Sequence, residues 1–377
     1  MKKGLAFLLT ISLFSTPAAV AAPAAPEVEA PSVCLMEKET GAVIFEKNAH
    51  EKLAPASVTK VMTMLLVMEA LDSGRIAKTD LVTVSANAQR MGGSQVFLAE
   101  GEQYTVDDLL KGMIIASGND ASVALAEHIS GAESTFVAAM NERAAQLGMK
   151  DTHFVNCCGL DADGHVTSAH DIALMSAELL RKHPDVKNYT TIWQDTLRNG
   201  TFGLDNTNKL IRFYPNATGL KTGSTAKAKC CIAGSAERDG VEFIAAVMAA
   251  STSAIRFDTA RTLLDFGFAN YTLVHTMPDK VLAPIPVLQG LRDNVQPLVE
   301  GRDRVLIEKS QVSSVKRSVE LAENVQAPVI KGQALGAVTV TLGDRVLARH
   351  DIVAADAVGR KRWTHFLRDL LSRVAMA

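Results

Sequence analysis

Ser57 and Lys60 stand three residues apart at the head of an apolar stretch, PASVTKVMTMLLVMEALDSG over 55–74. A hydroxyl with an amine one helical turn away is a nucleophile and base pair, provided the amine is neutral. Spacing alone is weak evidence, because Ser-x-x-Lys recurs at Ser224/Lys227 and at Ser313/Lys316. The ordinary reading of any single copy is a capped or solvated helix turn. What sets the first copy apart is its setting, together with Ser117-x-Asn119 and Lys221-Thr222-Gly223 further along the chain.

The elements that must carry these residues can be read from the pattern. Pro55 near a start and Gly74 just past an end predict a helix over Pro55–Gly74. Val61, Met62 and Met64 to Met68 leave it almost no polar face, so it should be buried on most sides with Ser57 and Lys60 at its N-terminal end. Ser32–Glu37 and Ala42–Glu46 read as strands around Thr40-Gly41, and Leu81–Val84 as a further short strand. Arg90–Ser94 reads as a flexible loop. Helices are expected over Val106–Ile115, Asp120–Ile129, Phe136–Leu147 and His170–Leu180. Asp107 and Asp108 suit the positive end of the first of these. Ser117 and Asn119 then fall in a loop between two helices. From Thr218 the pattern turns to strands, Gly219–Gly223, Cys230–Ser235 and Val241–Ala249, followed by a helix over Phe257–Phe266. Together these predict an α+β domain over 28–275, an antiparallel sheet flanked by helices with a helical subdomain. Short alternating runs then describe a small all-β module over 278–356, including Lys280–Pro286, Arg304–Lys309, Ser318–Leu321, Gly336–Leu342 and Arg345–Ile352.

The two ends differ from the rest. Lys2 and Lys3 precede an apolar run, Leu5–Phe14, and then small residues, which reads as a signal peptide over 1–22 with cleavage near Ala21 or Ala22. The expected location is therefore outside the cytoplasm, on the outer face of the cytoplasmic membrane. In Arg360–Ala377, Trp363, Phe366, Leu367, Leu370, Leu371 and Val374 form one apolar stripe ringed by Arg360, Lys361, Arg362, Arg368 and Arg373. That is too short and too charged to span, and it suits a helix lying on a membrane surface; docking on its own domain is the competing reading.

With 377 residues and a net charge of −2, the chain has room for two or three domains and no basic footprint for nucleic acid. Asp161-Ala-Asp163-Gly-His165 opens like a calcium loop, but its twelfth position is Ile172 where glutamate is needed. His50-Glu51 lacks the second histidine of a zinc protease motif, and neither cysteine pair has zinc-ribbon spacing. No metal and no cofactor are expected. The five cysteines are Cys34, Cys157, Cys158, Cys230 and Cys231; a bridge between the two adjacent pairs and burial as reduced thiols both remain open.

Ser57-x-x-Lys60, Ser117-x-Asn119 and Lys221-Thr222-Gly223, in this order, are the signature set of penicillin-binding proteins and class A β-lactamases. The sequence resembles the low-molecular-mass penicillin-binding proteins that act as D-alanyl-D-alanine carboxypeptidases. The likeness extends to Gly92-Gly93-Ser94, Phe154-x-Asn156, Gly159-Leu160-Asp161 and the β-rich module with its amphipathic tail. The resemblance implies the penicillin-binding/β-lactamase-like fold and trimming of the terminal D-alanine from peptidoglycan stem peptides, with β-lactams as inhibitors. It implies Ser57 as nucleophile, Lys60 as base, Ser117 as proton relay and Asn119 as the grip on the substrate amide. The backbone N–H groups of Ser57 and Ser224 would form the oxyanion hole; Lys221, Thr222 and Arg256 would hold the terminal carboxylate, and the Gly223 strand would pair with the peptide. Burial, the helix N-terminus and Lys221 should lower the Lys60 pKa. Cys157-Cys158 departs from the family pattern, as does Cys230-Cys231. A class A β-lactamase is the nearest rival, but no Glu-x-x-Leu-Asn segment lies between Asn119 and Lys221. A catalytically silent wall-binding module is the rival of another class.

Overall fold

The structure is a computed structural model that describes residues 23–365 and 367. The expected signal peptide lies outside them, as do Phe366, Leu370, Leu371 and Val374 of the C-terminal stripe. The chain begins with a hairpin, β1 (Ser32–Glu37) and β2 (Val43–Lys47), closed where Gly41 takes a φ of 71° that suits glycine. A 3₁₀ turn at Ala56–Thr59 then runs into α1 (Lys60–Asp72). The helical lobe follows: β3 (Leu81–Thr83), α2 (Ala86–Gln89), β4 (Gln103–Thr105), α3 (Val106–Ile114), α4 (Asn119–Ser130), α5 (Glu133–Gln146), α6 (Ala169–Lys182) and α7 (Lys187–Thr190). A second hairpin, β5 (Gln194–Leu197) and β6 (Phe202–Asp205), and α8 (Leu210–Phe213) lead back to the sheet. The sheet is completed by β7 (Ala217–Thr225), β8 (Lys229–Arg238) and β9 (Val241–Ala250), and α9 (Ser253–Asn270) closes the domain.

The main sheet has the order β2-β1-β9-β8-β7 and is antiparallel at every pairing. Both its faces are covered, which explains why its central strands read as nearly continuous apolar runs instead of alternating ones. Cys34 and Met36 of β1 point into the core with α1, α3, α4 and α6, while Val33 and Leu35 point into the core beneath α9. β7 is left on the sheet edge, beside the helical lobe. As expected, the catalytic-type motifs are divided between these two parts.

One helix differs from the sequence reading. The expected Pro55 helix becomes α-helical only at Lys60, because Ala56 holds a φ of 48° and the preceding turn is wound as 3₁₀. In a 3₁₀ turn, side chains at i and i+3 eclipse, which brings Lys60 over Ser57 more directly than an α-turn would.

The second module is all β: β10 (Tyr271–His275), β11 (Ile285–Leu288), β12 (Asn294–Val295), β13 (Pro297–Val299), β14 (Arg304–Glu308), β15 (Val315–Leu321), β16 (Val325–Gln326), β17 (Ala334–Leu342) and β18 (Arg345–Ala354). Its own core gathers Ile285, Val287, Val338 and Ile352. Of the strand expected over Lys280–Pro286, only Ile285 and Pro286 are extended in β11. β10 follows α9 without an intervening residue and pairs with β14.

Candidate active site

Ser57 is half-buried in the 3₁₀ turn, whereas Lys60 is completely buried. Lys60 Nζ lies 3.0 Å from Ser57 Oγ, 2.6 Å from Asn119 Oδ1 and 2.7 Å from the Cys158 carbonyl oxygen. Two of these partners, the amide and carbonyl oxygens, can only accept. A neutral amine has two N–H bonds and one lone pair. With its hydrogens committed to Asn119 and Cys158, the lone pair is left for the one neighbour that can donate, the Ser57 hydroxyl. The neutral amine can therefore accept the Ser57 proton, whereas the ammonium donates to the same oxygen.

Burial lowers the Lys60 pKa to about 8, against the opposing pull of Cys158, Cys157 and Asp120. Lys221 is also completely enclosed, and its pKa falls well below the usual lysine value through burial, then through the charges of Lys60 and Arg256. Of the expected causes for Lys60, burial is the dominant one.

Asn119 is anchored on both sides. Its Nδ2 donates to the Gly92 carbonyl at 2.6 Å, and a side chain at Gly93 would lie 2.8 Å from that nitrogen. One amide hydrogen is therefore left for substrate. Ser117 occupies the α3–α4 loop with a φ of 66°, a left-handed conformation uncommon outside glycine and typical of functional loops. It is not among the three partners of Lys60.

The third motif meets the first through backbone packing. A Cβ on Gly223 would sit 2.8 Å from Ser57 N and 3.0 Å from Pro55 O. Only glycine lets β7 pass this close to the nucleophile, bringing the segment with Ser224 up to Ser57, as an oxyanion hole from their N–H groups requires. Gly159 closes the other side, since a Cβ there would fall 1.9 Å from Ala56 O. Asn156 builds that loop by accepting from the amides of Gly159 and Leu160 at 2.7 and 3.1 Å. Asp161 then receives a hydrogen bond from Thr225, tying the loop to the end of β7.

Arg256 is buried behind β7. It donates to Gly223 O at 3.3 Å and to Ser253 Oγ at 2.9 Å, packs over Phe257, and leaves Nε without a partner among the described residues. It is not a surface arginine, and its observed contacts brace the Gly223 strand.

All five cysteines are free, so the suggested bridge between the two pairs is corrected. Cys157 and Cys158 act through their backbones: the carbonyl of Cys157 accepts from Thr63 Oγ1 at 2.6 Å and that of Cys158 from Lys60. Four of the thiols are buried, and Cys230 is half-buried with Sγ 3.9 Å from Ser224 Oγ. Sequence reasoning missed Thr207. Its Oγ1 accepts from Lys221 Nζ at 3.3 Å and from Thr222 Oγ1 at 2.7 Å, joining both side chains of the third motif. The available signal was Asn206-Thr207-Asn208, whose two asparagines are buried. Among the described residues no group of histidines, cysteines and carboxylates could hold a metal.

Comparison with known proteins agrees with this geometry. Residues 19–252 match the model of the D-alanyl-D-alanine carboxypeptidase family, and residues 271–360 match that of the penicillin-binding protein 5 C-terminal domain. The chain is 42% identical over 348 residues to the D-alanyl-D-alanine carboxypeptidase DacF of Bacillus subtilis, covering 90% of this chain and 88% of that one. It superposes on penicillin-binding protein 5 from Haemophilus influenzae with a TM-score of 0.79 at 33% identity, over 90% of this chain and all of that one. The ampicillin-bound penicillin-binding protein D2 of Listeria monocytogenes matches 64% of this chain and 98% of its own, with a TM-score of 0.59 at 32% identity. With Ser57, the buried Lys60 and a glycine-lined strand converging on the expected fold, the chain belongs to the D-alanyl-D-alanine carboxypeptidase family, serine peptidases of the penicillin-binding protein fold.

Proposed function

We propose that the chain removes the terminal D-alanine from peptidoglycan stem peptides through an acyl-enzyme on Ser57, and that β-lactams acylate the same atom. The observation that carries this reading is the environment of Lys60, whose lone pair can face only Ser57 Oγ. Ser57 attacks the peptide carbonyl as Lys60 takes its proton; the N–H groups of Ser57 and Ser224 receive the developing oxyanion. The Lys60 ammonium then gives that proton up to the leaving amine, with Ser117, in the loop before Asn119, as the relay that the family resemblance implies, and water afterwards hydrolyses the acyl-enzyme. The peptide lies along β7, the sheet edge, with its terminal carboxylate toward Lys221, Thr222 and Thr207 and with Arg256 bracing the strand behind them.

The carboxylate also has an electrostatic role. Burial lowers the pKa of both amines, Lys60 and Lys221. A bound carboxylate favours the cation at Lys221, and that charge in turn favours the neutral form of Lys60. A substrate ending in a free acid thereby helps to ready the base, which favours cleavage at the chain terminus.

We further propose export and attachment to the outer face of the cytoplasmic membrane. Trp363 and Leu367, the two stripe residues among those described, are 73% and 46% exposed and available to a lipid surface. Among the described residues, no helix is long and apolar enough to cross a membrane.

Labelled penicillin offered to wild type and to Ser57→Ala tests the catalytic reading. Stable label on wild type alone is expected. Rapid turnover of the label would indicate a β-lactamase, and no label on either a silent wall-binding module.

A further inference from the structure

Asp120 follows Asn119 in the first turn of α4 and is completely buried. A carboxylate withdrawn from water persists only where donors compensate for its lost solvation. Here the donors are backbone amides. Val96 N lies 3.1 and 3.0 Å from the two carboxylate oxygens, Leu98 N 3.1 Å from one of them, and Ala121 N 2.9 Å from the other. The first two belong to the loop that leaves Gly92-Gly93-Ser94. That loop returns two bonds to Asn119: Ser94 O accepts from Asn119 N at 2.8 Å, and Gly92 O accepts from Asn119 Nδ2 at 2.6 Å. Asn119 Oδ1 then accepts from Lys60 Nζ. Gly118 belongs to the same arrangement, because a Cβ there would lie 2.9 Å from Asp120 Oδ1. The glycine in Ser117-Gly118-Asn119 leaves room for the carboxylate that follows the motif.

We infer that Asp120 is a positioning residue for the base: it pins the 92–98 loop against Asn119 and so fixes the contact that holds Lys60 against Ser57. This rests on Lys60 being the base. The charged and titratable groups facing Lys60 are Asp120 from α4, Cys157 and Cys158 from the Asn156 loop, and Lys221 from β7. Cys158 and Cys157 oppose the lowering of the Lys60 pKa by burial, and Asp120 adds to them. Its influence is therefore both geometric and electrostatic.

Asp120→Asn keeps the shape, removes the charge and replaces one acceptor oxygen with an NH₂, so Val96 N–H keeps one acceptor of its two while either Leu98 N–H or Ala121 N–H is left facing a donor. The experiment measures the second-order rate of acylation by a labelled penicillin against pH, with thermal unfolding in parallel. A folded Asp120→Asn protein should acylate at least about tenfold more slowly, the scale of a misplaced reacting group. Its acid limb should also move to lower pH, since loss of a nearby anion makes Lys60 easier to deprotonate. Should Asp120→Asn fail to fold, Gly118→Ala displaces the carboxylate while keeping its charge, and it should slow acylation with the limb in place. For a folded Asp120→Asn protein, an unchanged rate overturns the assignment, as does a slower rate with an unmoved limb. For Gly118→Ala, full wild-type acylation overturns it. Lys60→Ala run alongside keeps the two readings separate: acylation retained there removes the base itself, whatever Asp120 does.

Discussion

At the scale of single residues, Lys60 combines two demands that usually conflict. It must be buried enough to lose its proton near neutrality, yet its nitrogen must have satisfied partners in either state. As an ammonium it has three acceptors around it, and as an amine it retains two of them and turns its lone pair on Ser57. The activity should follow the neutral form. With a pKa of about 8, the acylation rate of the free enzyme should rise with pH up to that value and level above it. On the acid side the amine is protonated and the rate should fall about tenfold per pH unit, each unit being a factor of ten in the neutral fraction. A rate constant for penicillin acylation that is flat between pH 6 and 9 would contradict this. Ser57 and Lys60 were legible in the sequence because their spacing is itself the chemistry. Asp120 and Thr207 were not. Asp120 works through amides 22 and 24 residues away, Thr207 through side chains 14 and 15 residues away, and no short motif encodes such meetings. The Cys158 contact was equally hidden, since a backbone carbonyl carries no signature of residue type.

At the scale of elements, Ser57 is placed by two glycines on segments that approach the 3₁₀ turn from opposite sides, one in a loop and one on β7. Gly159 has both constraints at once, a φ of 93° and a Cβ position 1.9 Å from Ala56 O. In Gly159→Ala the turn must shift, carrying Ser57 with it. A displacement of about 1 Å in a reacting group costs about a hundredfold in rate, so acylation by labelled penicillin should fall by that order. An alanine variant that acylates at the wild-type rate would show that the turn is not clasped there. The longer elements were well signalled, whereas the short ones, α2, β4, α7, the β5–β6 hairpin and α8, were not. α3, α4 and α6 carry clear patterns and caps, and the strands of the main sheet appear as apolar runs bounded by turn residues. The 3₁₀ start of α1 was not, because the turn at Pro55–Thr59 is packed against Gly159 and Gly223, which lie far from it in the sequence.

At the scale of the whole molecule, the catalytic domain and the β-rich module are joined without slack. β10 begins where α9 ends, Lys309 reaches back to the Phe268 carbonyl at 2.6 Å, and Arg304 to that of Gly240 at 3.3 Å. At the far end Gly290 and Arg360 form a β-bridge, so the start of the C-terminal segment is fixed to the module. Five cationic residues and one apolar stripe in Arg360–Ala377 should draw this end to an anionic bilayer, at about 1 kcal/mol per basic residue near the surface. Deleting 360–377 should move the protein from the pellet to the supernatant when it is sedimented with anionic vesicles. Unchanged partitioning would rule out the anchor.

The state of the sulfur atoms has a practical consequence. With four thiols sealed inside the fold and Cys230 alone half-open, alkylating chemistry on the native protein narrows to a single atom. That atom lies beside Ser224, on the strand next to the one expected to grip the peptide. A fluorophore attached there would act as a reporter of cleft occupancy, leaving the nucleophile itself untouched.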